Sequence, residues 1–451
     1  MIIHYLNLLK KMSNEEDTGI TFKKCSSLEI NDNIDSFQKI KQIYFQPMRP
    51  GSLRASIFCL ICVTLGTGML PLPYFFKSNG IILTLFIFFF CAFSTLLTLK
   101  ILINLSFKNK IYSYNELVAQ YFGKGSSMES YSITVLLINS LGSIIAWSVL
   151  INKFMKDILM YFDFESDKVD LYVFYFSLMI LCLVQIPLAT FKTLAKFHIV
   201  STIGILQILY VIGVLIIEFP FHFKNNFHIN EFIHNKDNFI NINLKLIEMP
   251  LVFFIAFGNH STILSVIDEI QNKSKIRVRN AGRLTFYSEL IIYLIIMFLS
   301  FFSSFEQTHE IFLDRNHQTL SMIIGECLML ILMICNISLY YYMMLPLLEM
   351  FVNNKKPFDT TMSFFVAFTI LTILTFISFY IEKIVRVFSF VGASAQISLI
   401  FVLPLSLYIK HNEKKIGNLK RILIIGSIGL FCLLGMMFFI LLLVDQFVDV
   451  M

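Results

Sequence analysis

The sequence has few charged residues for its length. Only 15% of its 451 residues are charged, whereas 57% are hydrophobic, which is too apolar for a soluble domain and typical of a multi-pass membrane protein. The net charge of +6 therefore gives no indication of nucleic-acid binding. In such a chain, positive charge is interpreted by position, as membrane topology.

The sequence also lacks the motifs of a membrane enzyme. It contains no H-x-x-x-H, no G-x-S-x-G and no paired aspartates within an apolar segment. Cys59 and Cys62 form a C-x-x-C, but without a second pair this spacing does not predict a zinc or redox site. We therefore expect neither catalysis nor a metal, and no cofactor beyond a coupling ion.

Eleven apolar segments approach or exceed the roughly twenty residues that a helix needs to cross a bilayer. They predict an all-α integral membrane protein that is embedded in lipid. The predicted spans 1 to 11 cover residues 54–76, 81–104, 131–152, 170–189, 197–219, 248–268, 284–304, 321–348, 362–381, 385–409 and 421–444.

The polar segments predict the topology. Residues 1–50 carry scattered charges without periodicity, which predicts a largely disordered cytosolic tail. Most of the 36 Lys and Arg residues fall on the same side as this tail, so we expect a cytosolic N-terminus and an external or lumenal C-terminus. The other predicted regions are spans 1–5 in 51–219, an external loop in 220–247, spans 6–10 in 248–409, and a cytosolic loop with span 11 in 410–451.

Spans 6–10 follow the order and approximate spacing of spans 1–5, with span 7 the outlier. Because five is an odd number, a second copy of five spans is inverted relative to the first. Secondary transporters with such an inverted repeat bind substrate at the midplane, where one broken helix from each half meets the other.

Two spans contain residues that interrupt helices. In span 1 these are Gly66-Thr67-Gly68, followed by two prolines, and in span 6 they are Phe257 and Gly258-Asn259-His260-Ser261. The alternative for the span 1 glycines is close helix packing. A broken helix exposes N–H groups that suit a carboxylate and carbonyls that suit a cation. We therefore expect an amino acid to bind with its carboxylate near Gly66, Thr67 and Gly68, and its ammonium near Asn259, His260 and Ser261.

Several segments resemble the amino acid/auxin permease family, which includes vacuolar and neutral amino-acid transporters. They are GTGMLPLPY at 66–74, YSYNEL at 112–117, His260 with Glu269 nine residues on, and GASA at 392–395 with FVLP at 401–404. The resemblance implies a secondary active transporter with a LeuT-like fold and discontinuous helices 1 and 6. It implies a small-molecule amino-acid substrate and a location in the plasma membrane or a vacuole- or lysosome-like organelle. It implies no oligomeric state.

The coupling ion is left open between a proton and sodium. Sodium-coupled members of the family carry an Asn where this chain has Cys62, and an Arg after the span 8 proline, where Pro346 is followed here by Leu347. A thiol is a poor sodium ligand, which favours a proton. A sodium site would use Cys62, a carbonyl such as that of Leu65, Asn336 and Ser338.

The ionisable residues within the spans are the candidates for proton coupling. Glu289, Glu326 and His260 qualify because burial of such groups in a membrane is costly and usually functional. The alternatives are that the glutamates reach a membrane interface and that His260 is a packing residue. We interpret the other polar residues as bridges between helices, namely Asn139, Ser140, Ser143, Gln185, Gln207 and Gln396.

Arg54 and Glu269 are candidates for a cytosolic gate, since each lies at the cytosolic end of a span. Two solvated helix ends are the alternative. At the level of function, the alternatives to a transporter are an amino-acid sensor, which binds without net transport, and a channel.

Overall fold

The computed structural model describes residues 53–189, 197–270, 273–314, 319–352, 357–381, 383–413 and 416–450. Within these residues every regular element is helical, as predicted. The predicted cytosolic tail, residues 1–50, lies outside the described residues.

Ten helices in the described part of the chain are long and apolar enough to cross a membrane, and they match spans 2 to 11. Their bounds are Ile81–Asn109, Ser127–Tyr161, Val169–Ala189, Thr202–Asn226, Lys245–Glu269, Lys275–Gln307, Leu320–Phe351, Thr361–Ser378, Ile384–His411 and Asn418–Leu442. The predicted count of eleven is not reached, because span 1 does not form one long helix.

Span 1 is divided into two helices, Leu53–Gly68 and Tyr74–Asn79, by a turn. The turn contains Pro71 and Pro73, which lack the N–H group that would continue a helix and restrict the residue before them. The prediction placed the interruption at Gly66-Thr67-Gly68. The helix instead runs through both glycines and ends at Gly68.

The loop between spans 5 and 6 contacts the end of span 1. The N–H of Asn241 donates to the carbonyl of Asn79 at 2.9 Å, and the amide of Asn79 donates to the side chain of Asn243 at 3.0 Å. Gly80, with φ of +79°, turns the chain into span 2, and a side chain there would overlap the backbone of Phe239. The loop between spans 5 and 6 thus holds the second helix of span 1.

Span 6 is interrupted where the sequence predicted. The helix Lys245–Ala256 ends before Phe257, and a second helix begins at His260 and ends at Glu269. Span 6 lies at the centre of the protein, since 83% of an 18-residue apolar stretch of this span is buried. The corresponding value for span 11 is 17%. Span 11 therefore has the exposed apolar surface expected of a helix that faces lipid.

Span 10 contains wide, π-helical turns at Gly392–Gln396 and Ser398–Val402. Its Gly392 lies against span 6, because a Cβ at this position would be 2.6 Å from the carbonyl oxygen of Leu251. Single π-helical turns occur frequently at functional sites. These turns place one face of span 10 next to the interruption in span 6.

Candidate functional site

A small cavity lies between spans 1, 3, 6, 8 and 10. Its volume is about 20 Å³, which is room for a water molecule rather than for an amino acid. Its wall combines apolar and aromatic residues with the polar side chains of Thr64, Ser143, Tyr340 and Gln396. The lining residues are Val63, Thr64, Gly142, Ser143, Ala146, Trp147, Ile255, Gly258, Tyr340, Phe388, Val391 and Gln396.

Glu289 of span 7 connects this cavity to the interruption in span 6. The hydroxyl of Thr64, which lines the cavity, donates to Oε1 of Glu289 at 2.5 Å. The side-chain amide of Asn259 donates to the two carboxylate oxygens at 2.9 and 3.3 Å. Glu289 is fully buried. One carboxyl group thus contacts both broken spans.

Tyr293, one turn after Glu289, joins the same two spans through their backbones. Its hydroxyl lies 2.6 Å from the carbonyl oxygen of Ala256 and 3.1 Å from that of Thr64. Ala256 is the last residue of its helix, so its carbonyl is one of those that a helix end leaves without an intrahelical partner. Tyr293 therefore satisfies a backbone group that the interruption exposes.

The predicted substrate residues of span 6 contact different neighbours. Asn259 binds Glu289, whereas His260 is fully buried with its Nε2 3.1 Å from the hydroxyl of Thr98 on span 2. Ser261 lies 3.4 Å from the amide of Asn139 on span 3. Phe257 packs with its ring against the ring of Tyr293, 5.2 Å between centroids.

The predicted residues of span 1 lie at helix contacts. A Cβ at Gly68 would be 2.8 Å from the Cα of Ala256, and one at Gly66 would be 3.1 Å from Nδ2 of Asn336. The backbone of Thr67 is helical, and its side chain lies outside the described residues.

The sodium candidates lie partly together. Cys62 and Leu332 of span 8 both lie against Gly204 of span 5, and Gly66, one turn after Cys62, lies against Asn336, one turn after Leu332. Leu65 and Ser338 are fully buried. Spans 1 and 8 thus meet at Gly66 and Asn336, one turn after Cys62.

Glu326 lies in different surroundings from Glu289. Its charged neighbours are Asp157, Asp314 and Lys153, and Lys153 forms an ion pair with Asp314 at 2.8 Å. None of these residues lines the cavity. The two glutamates that the sequence proposed as equivalent candidates are therefore not equivalent in the fold.

The candidate gate residues lie at the start of one helix and at the end of another. Arg54 is the second residue of the first helix of span 1, and Glu269 is the last residue of the second helix of span 6. These two helices pack against each other. Asp268, next to Glu269, forms an ion pair with Lys273 at 2.7 Å.

Sequence reasoning did not select Thr64 or Tyr293, and it assigned Ser143 and Gln396 to bridging helices. A polar residue one turn before the end of a broken helix, as Thr64 is, was an available signal. Tyr293 offered none in a chain with 18 tyrosines, because its role depends on contact with two other spans.

The fold and the cavity define a multi-pass helical membrane protein with a buried site between interrupted spans. A family model described as transmembrane amino acid transporter protein matches residues 49–446, and the chain belongs to this family. The family and its relatives are transporters rather than enzymes. The resemblance seen in the sequence is thus confirmed.

The similar proteins are distant relatives. A putative amino acid transporter AAT1 of Plasmodium berghei is 20% identical over 336 residues, covering 73% of this chain but 52% of that protein. The sodium-coupled neutral amino acid symporter 2 of Danio rerio is 22% identical over a region that covers 88% of this chain and 82% of the length of that symporter. The sodium-coupled neutral amino acid transporter 4 of Homo sapiens is 21% identical over 42% of this chain and 36% of its own.

Proposed function

We propose that the protein is a secondary active transporter of amino acids that works by alternating access and couples to protons through Glu289. The observation that supports this proposal is the position of the buried Glu289 carboxyl group between Thr64 of span 1 and Asn259 of span 6. Ionisable groups inside a membrane form the proton relays of many transporters.

The hydroxyl of Thr64 links the protonation state of Glu289 to the wall of the cavity. An ionised carboxylate only accepts hydrogen bonds, whereas a protonated one also donates. When Glu289 is ionised, Thr64 donates to it. When Oε1 carries a proton, Glu289 donates to Thr64, whose own hydroxyl proton turns to the carbonyl of Leu60, 3.0 Å away. Protonation thus reverses the direction of this hydrogen bond at the cavity wall.

The helix ends beside the cavity suit the two charges of an amino acid. The helix Leu53–Gly68 ends with carbonyls that have no intrahelical partner, and the helix that begins at His260 offers free N–H groups. In our proposal the ammonium lies near Leu65 to Gly68 and the carboxylate near His260 and Ser261. This is the reverse of the sequence-based assignment, because Gly66, Thr67 and Gly68 are helical and their N–H groups point into the preceding turn.

The cavity is smaller than an amino acid, so substrate entry requires the surrounding helices to separate. In the proposed cycle the short helices of spans 1 and 6 rock against spans 3, 8 and 10, as in transporters built from two inverted five-helix repeats. The inverted repeat and the cytosolic position of the N-terminus are part of this proposal.

Uptake into proteoliposomes tests the proposal. We expect an inward proton gradient, without sodium, to drive accumulation of labelled neutral amino acids. Glu289→Gln mimics the protonated group, so it should retain exchange of internal for external substrate but lose accumulation. Glu326→Gln is the matched control, since it neutralises a buried carboxyl group in a separate cluster with Asp157, Asp314 and Lys153, and it should still accumulate substrate.

Four results would contradict the proposal. Accumulation by Glu289→Gln at the wild-type level would exclude its role in coupling. Accumulation that needs sodium and is lost in Asn336→Ala would favour the site at spans 1 and 8 instead. Saturable binding without any uptake would indicate a sensor, and currents that do not saturate with substrate would indicate a channel.

A further inference from the structure

We propose that Oε1 of Gln396 accepts a hydrogen bond from an N–H group of the bound substrate and thereby contributes to substrate selection. The inference rests on the proposed function, since it assigns a role within the same cavity. It concerns a residue that the sequence alone indicated only as a bridge between helices.

Only the nitrogen end of the Gln396 amide has a hydrogen-bond partner among the described residues. Its Nε2 donates to Oδ1 of Asn139 at 2.8 Å, and the amide of Asn139 continues to Ser261 at 3.4 Å. In this arrangement the Nε2 end of the Gln396 amide faces span 3. Oε1 of Gln396 is buried and has no hydrogen-bond partner among the described residues.

An unsatisfied buried carbonyl oxygen is unfavourable, because it has lost water without gaining a donor. Gln396 is 4% exposed and lines the cavity. A substrate N–H in the cavity would supply the missing donor. The acceptor is thus available to a ligand N–H group that enters the cavity.

Gly258 brings this acceptor to the interruption in span 6. A Cβ at Gly258 would lie 2.6 Å from Oε1 of Gln396, so a side chain at this position would displace the amide. The π-helical turn that ends at Gln396 carries the side chain on the span 10 face that packs against span 6. Oε1 therefore lies beside the backbone where the proposed substrate binds.

The other polar groups of the cavity are already engaged. Thr64 donates to Glu289, and Ser143 hydrogen-bonds the hydroxyl of Tyr340. The residues that line the cavity in the described structure carry no charge. The cavity therefore suits a neutral amino acid, and Gln396 offers it an acceptor for the α-ammonium or for a side-chain amide.

Substrate affinity of Gln396 variants tests the inference. Binding is measured on purified protein, and uptake in proteoliposomes, with alanine, leucine, glutamine and lysine as ligands. Gln396→Leu removes the acceptor at similar size. Gln207→Leu is the matched control, because Gln207 is 2% exposed, its amide atoms have no partner among the described residues, and it does not line the cavity.

The pattern across ligands identifies the donor. If the α-ammonium is the donor, Gln396→Leu should weaken every ligand about 10-fold or more, as expected for a hydrogen bond to a charged group. If a side-chain amide is the donor, glutamine should weaken by about 3- to 10-fold and leucine should not change. In either case, Gln396→Glu should improve lysine relative to leucine, since it adds a negative charge in the same shape.

Unchanged affinity for all four ligands in Gln396→Leu, or the same change in Gln207→Leu, would overturn the inference. That outcome leaves the proposed function intact, because the wild-type protein would still accumulate substrate. Failure of the wild-type protein to bind or transport any amino acid would instead refute the proposed function and the inference together.

Discussion

Gly68 provides a direct test of the contact between the broken spans. In Gly68→Ala the added Cβ would lie 2.8 Å from the Cα of Ala256 and 3.1 Å from the hydroxyl of Tyr293. The first of these neighbours is backbone, which cannot turn aside as the end of a flexible side chain can. The helices of spans 1 and 6 must therefore separate, or Tyr293 must move.

The expected cost has two parts. Overpacking of a tight contact costs about 1–3 kcal/mol, and displacement of the Tyr293 hydroxyl weakens the hydrogen bond that its single proton donates, which is worth about 0.5–1.5 kcal/mol. Alanine is the better helix former by about 1 kcal/mol, which offsets part of this. We expect a net loss of about 0.5–3.5 kcal/mol in the free energy of unfolding, with loss of uptake.

Thermal unfolding of the purified variants, together with uptake, measures this effect. Gly213→Ala is the matched control, because a Cβ at Gly213, within the span 5 helix, would meet nothing within 4 Å. It should be as stable as the wild type or more so. Gly66→Ala should be intermediate, since its nearest neighbour is the movable amide of Asn336. Equal stability of Gly68→Ala and Gly213→Ala would refute the proposed packing.

Two further predictions concern neighbouring contacts. Tyr293→Phe removes the hydroxyl that contacts the carbonyls of Ala256 and Thr64, so we expect the protein to lose about 1–3 kcal/mol of stability and most of its uptake. Tyr341→Phe, whose buried hydroxyl has no hydrogen bond among the described residues, should change neither in the same assays. If Arg54 and Glu269 form a cytosolic gate, uptake lost in Arg54→Glu or Glu269→Arg should return in the double variant. A double variant as inactive as either single reversal would exclude the gate.

The sequence predicted the long helices well because their signal is local. An apolar segment of sufficient length needs no tertiary information, and ten predicted spans correspond to ten helices of the described structure. The interruption of span 6 was equally local, since Gly258 and the polar residues after it stand out in an apolar segment. Which residues face the cavity depends on helix rotation and packing, and so Thr64 and Tyr340 were not selected.

The two buried glutamates illustrate the limit of such reasoning. Glu289 and Glu326 have the same chemistry, and each lies near the predicted end of an apolar span. Their difference arises from residues distant in sequence, since Thr64 and Asn259 bind Glu289, whereas Asp157, Asp314 and Lys153 surround Glu326. Only the assembled spans can distinguish a carboxyl group beside the cavity from one in a charged cluster.

The glycines of span 1 posed a choice between close packing and an interrupted helix, and the structure makes the two interdependent. Gly66 and Gly68 remain helical and allow span 1 to approach Asn336 and Ala256. The interruption follows immediately, at the turn that contains Pro71 and Pro73. Without the close approach, the free carbonyls at the helix end would lie farther from the N–H groups that begin at His260. The packing glycines therefore set the distance between the two helix ends, which in our proposal is the distance between the two charges of the substrate.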